Sequence, residues 1–298
     1  MNSHCEVIMK KINYWIVLFN ICIGFSFNVY ADQTIISQKV IQPPIINGIA
    51  DEPEWKKAVP IIVHENVNNI EITIKTIYTD KEIFFLVTFP DTDESRRHRT
   101  LIWDKEKKMY VIGPDREDSF VFKWSMEPQR IDLSIHADKP YTSDIWYWKS
   151  CRTDPMGYAD DKIALLSMTK LPYSSKMISK KGYTFYSKRS GDKGSAAYED
   201  LDIPLDYKGD SIPLFKNITP TDSRADIKAK GQWKDNQWTI EFKRLLFTGN
   251  PDDIQFNPTE RYQFGIARYE ISGLKPDPKE QFYGAGDVVE TLFIQFAH

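Results

Sequence analysis

Apolar and polar residues along this chain alternate in short blocks and do not recur at every third or fourth position. Ile70, Ile72 and Ile74 interleave with Glu71, Thr73 and Lys75. That is the period of a strand with one face buried, so residues 70–78 are expected as a strand. Thr79-Asp80-Lys81 turns the chain, and residues 83–87 follow as a strongly apolar partner. Phe120, Phe122 and Trp124 share one face of a further strand over 119–124. Residues 229–233 and 238–242 flank a Lys234-Asp235-Asn236-Gln237 turn and read as a hairpin. Residues 262–269 and 291–296 give two more strands, and residues 53–58, with a proline near the start, give a short early helix.

Repeated short strands separated by turn signals predict an all-β chain, an immunoglobulin-like or sugar-binding-module-like β-sandwich. Residues 166–224 depart from that pattern. They are rich in Ser, Lys, Gly, Asp and Pro with weak periodicity, and are read as a long inserted loop region. A loop of that length is expected to serve a function or a partner. Tyr173, Lys176, Lys180, Lys181, Tyr183 and Arg189 make it the expected docking surface.

The first 31 residues carry an export pattern. Lys10 and Lys11 precede an apolar stretch, and Val29-Tyr30-Ala31 places small residues where a signal peptidase cuts, so Asp32 is expected to open the mature chain. The apolar run of about 16 residues falls short of the roughly 20 that span a bilayer as a helix. The expectation is a signal peptide over 1–31, one sandwich domain over 32–298, and a periplasmic or other extracytoplasmic location with no membrane span after cleavage.

Composition narrows the function. With 39 Lys and Arg against 42 Asp and Glu, the net charge is −3, and no basic footprint for nucleic acid is present. Of the three cysteines only Cys151 lies beyond the signal, so neither an internal disulfide nor a CxxCH haem tether is available. No nucleophile elbow, HExxH, phosphate-cradling glycine loop or zinc spacing occurs. The adjacent acids Asp160-Asp161 and Asp252-Asp253 are read as solvated or capping groups in turns, not as a catalytic pair. The chain is expected to have no catalytic constellation of its own.

The densest signal is the run Asp144-Ile145-Trp146-Tyr147-Trp148-Lys149, followed by Cys151-Arg152-Thr153 and Gly157-Tyr158-Ala159-Asp160-Asp161. A Trp-x-Trp alone is an ordinary core strand. The full run resembles the haem-binding γ-subunit family typified by ethylbenzene dehydrogenase, whose hallmark is D-x-W-x-W-K followed by R-T and G-Y-A-D-D. Residues 46–55, 77–83, and 231–244 extend the resemblance over most of the chain, with 166–224 the least covered.

The resemblance implies a non-covalent b-type haem acting as an electron relay. It also implies a place beside a molybdenum-cofactor catalytic subunit and an iron–sulfur subunit, as in nitrite oxidoreductases and selenate or chlorate reductases, with a soluble cytochrome as electron partner. In the family a methionine and a lysine hold the iron. Carried over by position, the methionine falls ten residues before Trp146, on His136, and the lysine ten before Trp238, on Lys228. Met126 and Lys230 are the alternatives. A coordinating Lys228 must be neutral, which calls for burial in an apolar pocket for which Ile227 and Trp233 are available. Imidazole in place of a thioether lowers the expected potential. Two other readings stand beside this one: a haem-free sandwich that stacks sugars on exposed tryptophans, and an assembly subunit of the same complex that has lost the cofactor.

Overall fold

A computed structural model describes residues 32–65, 70–269, 285–287 and 291–297; the expected signal, 1–31, lies outside them. The strands are β1 (Gln33–Lys39), β2 (Ile61–Glu65), β3 (Ile70–Tyr78), β4 (Glu82–Pro90), β5 (Leu101–Asp104), β6 (Met109–Ile112), β7 (Ser119–Ser125), β8 (Tyr141–Lys149) and β9 (Asp160–Ser167). They continue as β10 (Ser175–Ile178), β11 (Thr184–Gly191), β12 (Tyr198–Asp200), β13 (Ser211–Ile212), β14 (Phe215–Asn217), β15 (Lys228–Lys234), β16 (Gln237–Leu245), β17 (Tyr262–Tyr269), β18 (Ala285–Asp287) and β19 (Leu292–Phe296).

The chain is all-β, as its alternation predicts, and forms a β-sandwich. One layer has the order β10-β11-β9-β8-β7-β17-β19, the other β3-β4-β16-β15, and β1 joins them. The first five residues of β1 pair with β19 and its last two with β3, both in parallel. The inner faces meet in an aromatic core: Phe85 of β4 lies 4.9 Å from Phe122 and 5.4 Å from Trp124 of β7, ring centroid to centroid. Trp148 of β8 meets Trp238 of β16 edge to face at 4.9 Å. Such pairs add to the area that the rings bury.

Local sequence explains the joints. β15 and β16 turn through Asp235-Asn236, both in the left-handed region at φ +53° and +59°, the two-residue turn that matches strand twist. A Cβ on Gly231 of β15 would stand 2.4 Å from Trp148 Cζ2, so only glycine lets the indole fill that place. The early helix is one 3₁₀ turn, Pro53–Lys56. Its buried Trp55 donates to Glu241 Oε1 at 2.8 Å, while the Asn47 and Gly48 amides donate to Oε2. One carboxylate on β16 thus clamps the opening segment onto the sheet.

Region 166–224 holds more regular structure than its composition signals. β10 and β11 form a hairpin whose second strand pairs with β9 and extends the main sheet. β12 pairs with β14, and β13 with β5. Of β11 only Phe185 is buried, so the alternation that marks other strands is missing there.

Candidate functional site

The hallmark residues are placed by strand parity. On β8, Asp144, Trp146 and Trp148 face the sandwich interior, and Trp146 pairs with Asp161 of β9. Both indoles are fully buried. Trp148 Nε1 donates to Asp154 Oδ1 at 2.9 Å, and that same carboxylate oxygen accepts the Gly231 amide at 2.6 Å. Arg96 and Lys230 contact its other oxygen at 2.7 and 3.3 Å. Thr153 closes the turn by accepting the Lys149 amide at 2.9 Å. The motif is a polar frame bolted around aromatic packing.

Its two adjacent aspartates part company. Asp160 binds Lys149 at 2.6 Å and Lys162 at 3.1 Å, and pairs with Arg224 as well. Burial pushes its carboxyl up, but these three cations outweigh burial and hold it far below the ordinary range. Asp161 is fully buried, and neither of its oxygens has a donor. Burial, then the charges of Asp144 and Asp253, push its pKa well up. Neither aspartate is solvated, and buried Asp253 is not either. The expectation of solvated turn acids fails because strand pairing carries both side chains of Asp160-Asp161 out of water.

Around Asp161 stand three more carboxylates. Ligand oxygens of Asp144, Asp161 and Asp253 lie within 4.8 Å of one another. Asp192, whose amide donates to Asp161 O at 3.3 Å, is 7% exposed and has two unpartnered oxygens. Arg244 of β16, also buried, reaches Asp144 Oδ2 at 2.7 Å and lies over the Trp146 ring at 4.8 Å. Burial raises Asp144 to about 6 against the pull of that arginine, and burial followed by Asp252 raises Asp192 to about 7.

The expected iron ligands are not brought together. His136 lies in the loop before β8, its Nδ1 donating to Ile178 O at 2.7 Å. Lys228 opens β15 and bridges Tyr158, its Nζ 3.4 Å from the centre of the Tyr158 ring. His136 therefore sits where Tyr141 pairs with Leu166, and Lys228 beyond the other end of the same hairpin, where Tyr147 pairs with Asp160. At about 3.3 Å per residue those ends are roughly 20 Å apart, far more than the two faces of one porphyrin allow. The alternatives divide the same way: the Met126 amide donates to Thr142 O at the His136 end, and Lys230 contacts Asp154 at the other. The apolar pocket expected for Lys228 does not form, because Ile227, Ala229 and Gly231 face the core and period 2 turns Lys228 to the opposite face. A cleft of about 410 Å³ opens elsewhere, lined in part by Arg97, His98, Cys151 and Phe215, and includes neither expected ligand. Burial, then Arg152, Arg116 and Arg99, push the His98 imidazole down to about 2.

Asp144, Asp161 and Asp253 stand in the sequence motifs without a joint role, and neither Asp192 nor Arg244 is marked there. The available signal was parity: Asp144 is a charge on the same strand face as Trp146 and Trp148, two residues from the first of them.

A family model described as ethylbenzene dehydrogenase matches residues 50–275. No curated protein matches the chain. Among solved structures, similarity is found to a family 9 carbohydrate binding module from Caldicellulosiruptor kristjanssonii. In its cellotriose complex the identity is 8%, covering 89% of this chain and 95% of that one, with a TM-score of 0.39. In its glucose complex the identity is again 8%, with 89% and 96% covered and a TM-score of 0.40.

Proposed function

This chain belongs to the ethylbenzene dehydrogenase family, and from that premise we propose that it is a γ-type accessory subunit of a molybdenum oxidoreductase complex outside the cytoplasm. The observation that carries the reading is the family match across residues 50–275, which spans most of the aromatic core and the hallmark run. Within that run Lys149 is paired with Asp160, and Asp144 with Arg244 of β16, in buried structural contacts, which suits a subunit that leaves bond-making to a partner. The partners of this reading are a molybdenum-cofactor subunit and an iron–sulfur subunit, with a soluble cytochrome beyond them.

A b-type haem is the cofactor that this role brings, supplying one-electron transfer when bound. The residues do not fit it at the pair His136 and Lys228, which stand at opposite ends of one hairpin. That separation favours a second form of the reading, a haem-free subunit kept for assembly. The sugar-stacking alternative has little support: among the described residues every tryptophan is buried or half-buried, and of the two half-buried ones Trp233 is tied by its Nε1 to Asp91 O at 3.1 Å while Trp103 packs edge to face against Tyr110 and Tyr207.

The test is isolation of the native complex through a tag on this chain. Co-purification of molybdenum and iron–sulfur subunits is expected, and recovery of the chain alone from native cells overturns the reading. A dithionite-reduced spectrum of the same complex separates its two forms: an α band identifies the relay, and its absence the assembly subunit.

A further inference from the structure

We propose that Asp144, Asp161, Asp192 and Asp253 hold one calcium ion inside the sandwich, tying β8, β9, the end of β11 and the loop after β16 together. The site does not depend on haem or on a partner.

Three observations converge on it. The first is geometry: oxygens of Asp144, Asp161 and Asp253 come within 4.8 Å of one another, the span open to ligands around a cation with Ca–O distances of about 2.4 Å. The second is unmet bonding. Asp161 is completely buried with no donor to either oxygen, and Asp144 Oδ1, Asp253 Oδ1 and both Asp192 oxygens also lack one. The partnered oxygens point outward to the frame: Asp144 Oδ2 takes Arg244, Trp146 Nε1 and the Ile254 amide, and Asp253 Oδ2 takes Thr248. A buried polar atom with no partner is costly, and six such oxygens on four neighbouring carboxylates are what a cation would satisfy together.

The third is charge. Arg244 pairs with Asp144, and its single positive charge also acts on Asp161 and Asp253. The cations that follow Asp144 and Asp161 in sequence, Lys149 and Lys162, together with Arg224, serve Asp160 instead. Asp252 and Asp226 add further negative charge at the rim: Asp252 raises both Asp192 and Asp253, and Asp253 in turn raises Asp226. The donor set decides the metal. It is all oxygen, with no imidazole or thiolate in the group, which disfavours zinc. Magnesium keeps several waters and takes few carboxylates, whereas calcium accepts a dry cage of carboxylate oxygens.

The experiment uses the full mature chain. Metal content after dialysis is measured by mass spectrometry, and Tm is recorded in calcium chloride and in EGTA, for the wild type and for Asp161→Asn. The expected result is one calcium per chain, a Tm several degrees higher in calcium than in EGTA, and an Asp161→Asn variant whose Tm is the same in both. Terbium luminescence sensitised by Trp146, whose Nε1 lies 3.2 Å from Asp144 Oδ2, gives a second readout that Asp161→Asn should weaken at least tenfold. A wild-type Tm indifferent to EGTA with no bound calcium overturns the proposal. So does stoichiometric zinc or magnesium in its place, or terbium binding undiminished in the variant.

Discussion

Asp160 and Asp161 are covalent neighbours that stand on opposite faces of β9, one neutralised by three cations and the other by none. The same substitution should therefore have opposite signs at the two positions. Asp160→Asn leaves Lys149, Lys162 and Arg224 crowded without their counter-charge and is expected to destabilise the chain by about 3–5 kcal/mol. In EGTA, Asp161→Asn removes an unpartnered buried carboxyl and is expected to leave stability unchanged or raise it by about 1–3 kcal/mol. Urea denaturation of both variants checks this, and two losses of equal size would refute the contrast.

Asp118 gives a dependence on pH. Burial, with Asp91 adding to it, raises its carboxyl to about 8, although Trp238 Nε1 and the Ser95 amide both donate to Oδ2. A folded pKa above the unfolded value means that the native state holds the extra proton. The stabilisation is present below pH ~4 and is lost as pH rises toward 8, by at most about 1.4 kcal/mol per unit. Asp118→Asn keeps an oxygen for both donors and should flatten the fall in Tm between those limits relative to the wild type. A variant with the wild-type slope contradicts the assignment.

The ligand geometry is testable in the complex if its spectrum contains haem. His136 and Lys228 lie at opposite ends of the β8–β9 hairpin, so His136→Ala and Lys228→Ala should not both turn one low-spin haem high-spin. Optical or electron paramagnetic spectra of the two variants decide it. Spin conversion by each substitution alone would mean that the residues share one iron after all.

Gly231 predicts a packing effect. A methyl group there meets Trp148 Cζ2 at 2.4 Å, and the indole, locked by Asp154 and packed edge to face against Trp238, has no room to retreat. Gly231→Ala is expected to cost about 1–3 kcal/mol, read as a lower urea midpoint with unchanged slope. An unchanged midpoint would show that the strand shifts freely.

What could be read from the sequence follows from where one face of a strand is buried and the other is not. β3 alternates cleanly, and its bounds match the expected strand; the β15–β16 hairpin is marked by a polar turn between aromatic runs. β11 escapes notice because it buries only Phe185 and fills its other positions with polar residues. The hallmark run was legible as a family signature, and its inward parity was legible too. The chemistry was not, because the partners of Asp144 and Asp161 come from β11, β16 and the loop beyond it, through register that spacing does not encode. Counting ten positions back from each tryptophan lands on two residues that lie apart for a related reason. The count from Trp146 runs off the start of β8, whereas the count from Trp238 crosses a hairpin and returns to the far end of the sheet.

The placement of β1 bears on how such a chain can become folded at all. Synthesis delivers residue 33 early, yet its backbone partner is residue 292, and the last two residues of β1 hold the second layer through Ile77 and Tyr78. Until β19 is in place, the first layer ends on an open edge at β17 and β1 has only part of its ladder. A topology closed by its earliest and latest segments places much of its entropy cost at the end and folds slowly. It also exposes strand edges meanwhile, the condition under which nascent chains pair with one another instead of with themselves. Production of this protein should thus depend on a holding chaperone more than its final stability would suggest.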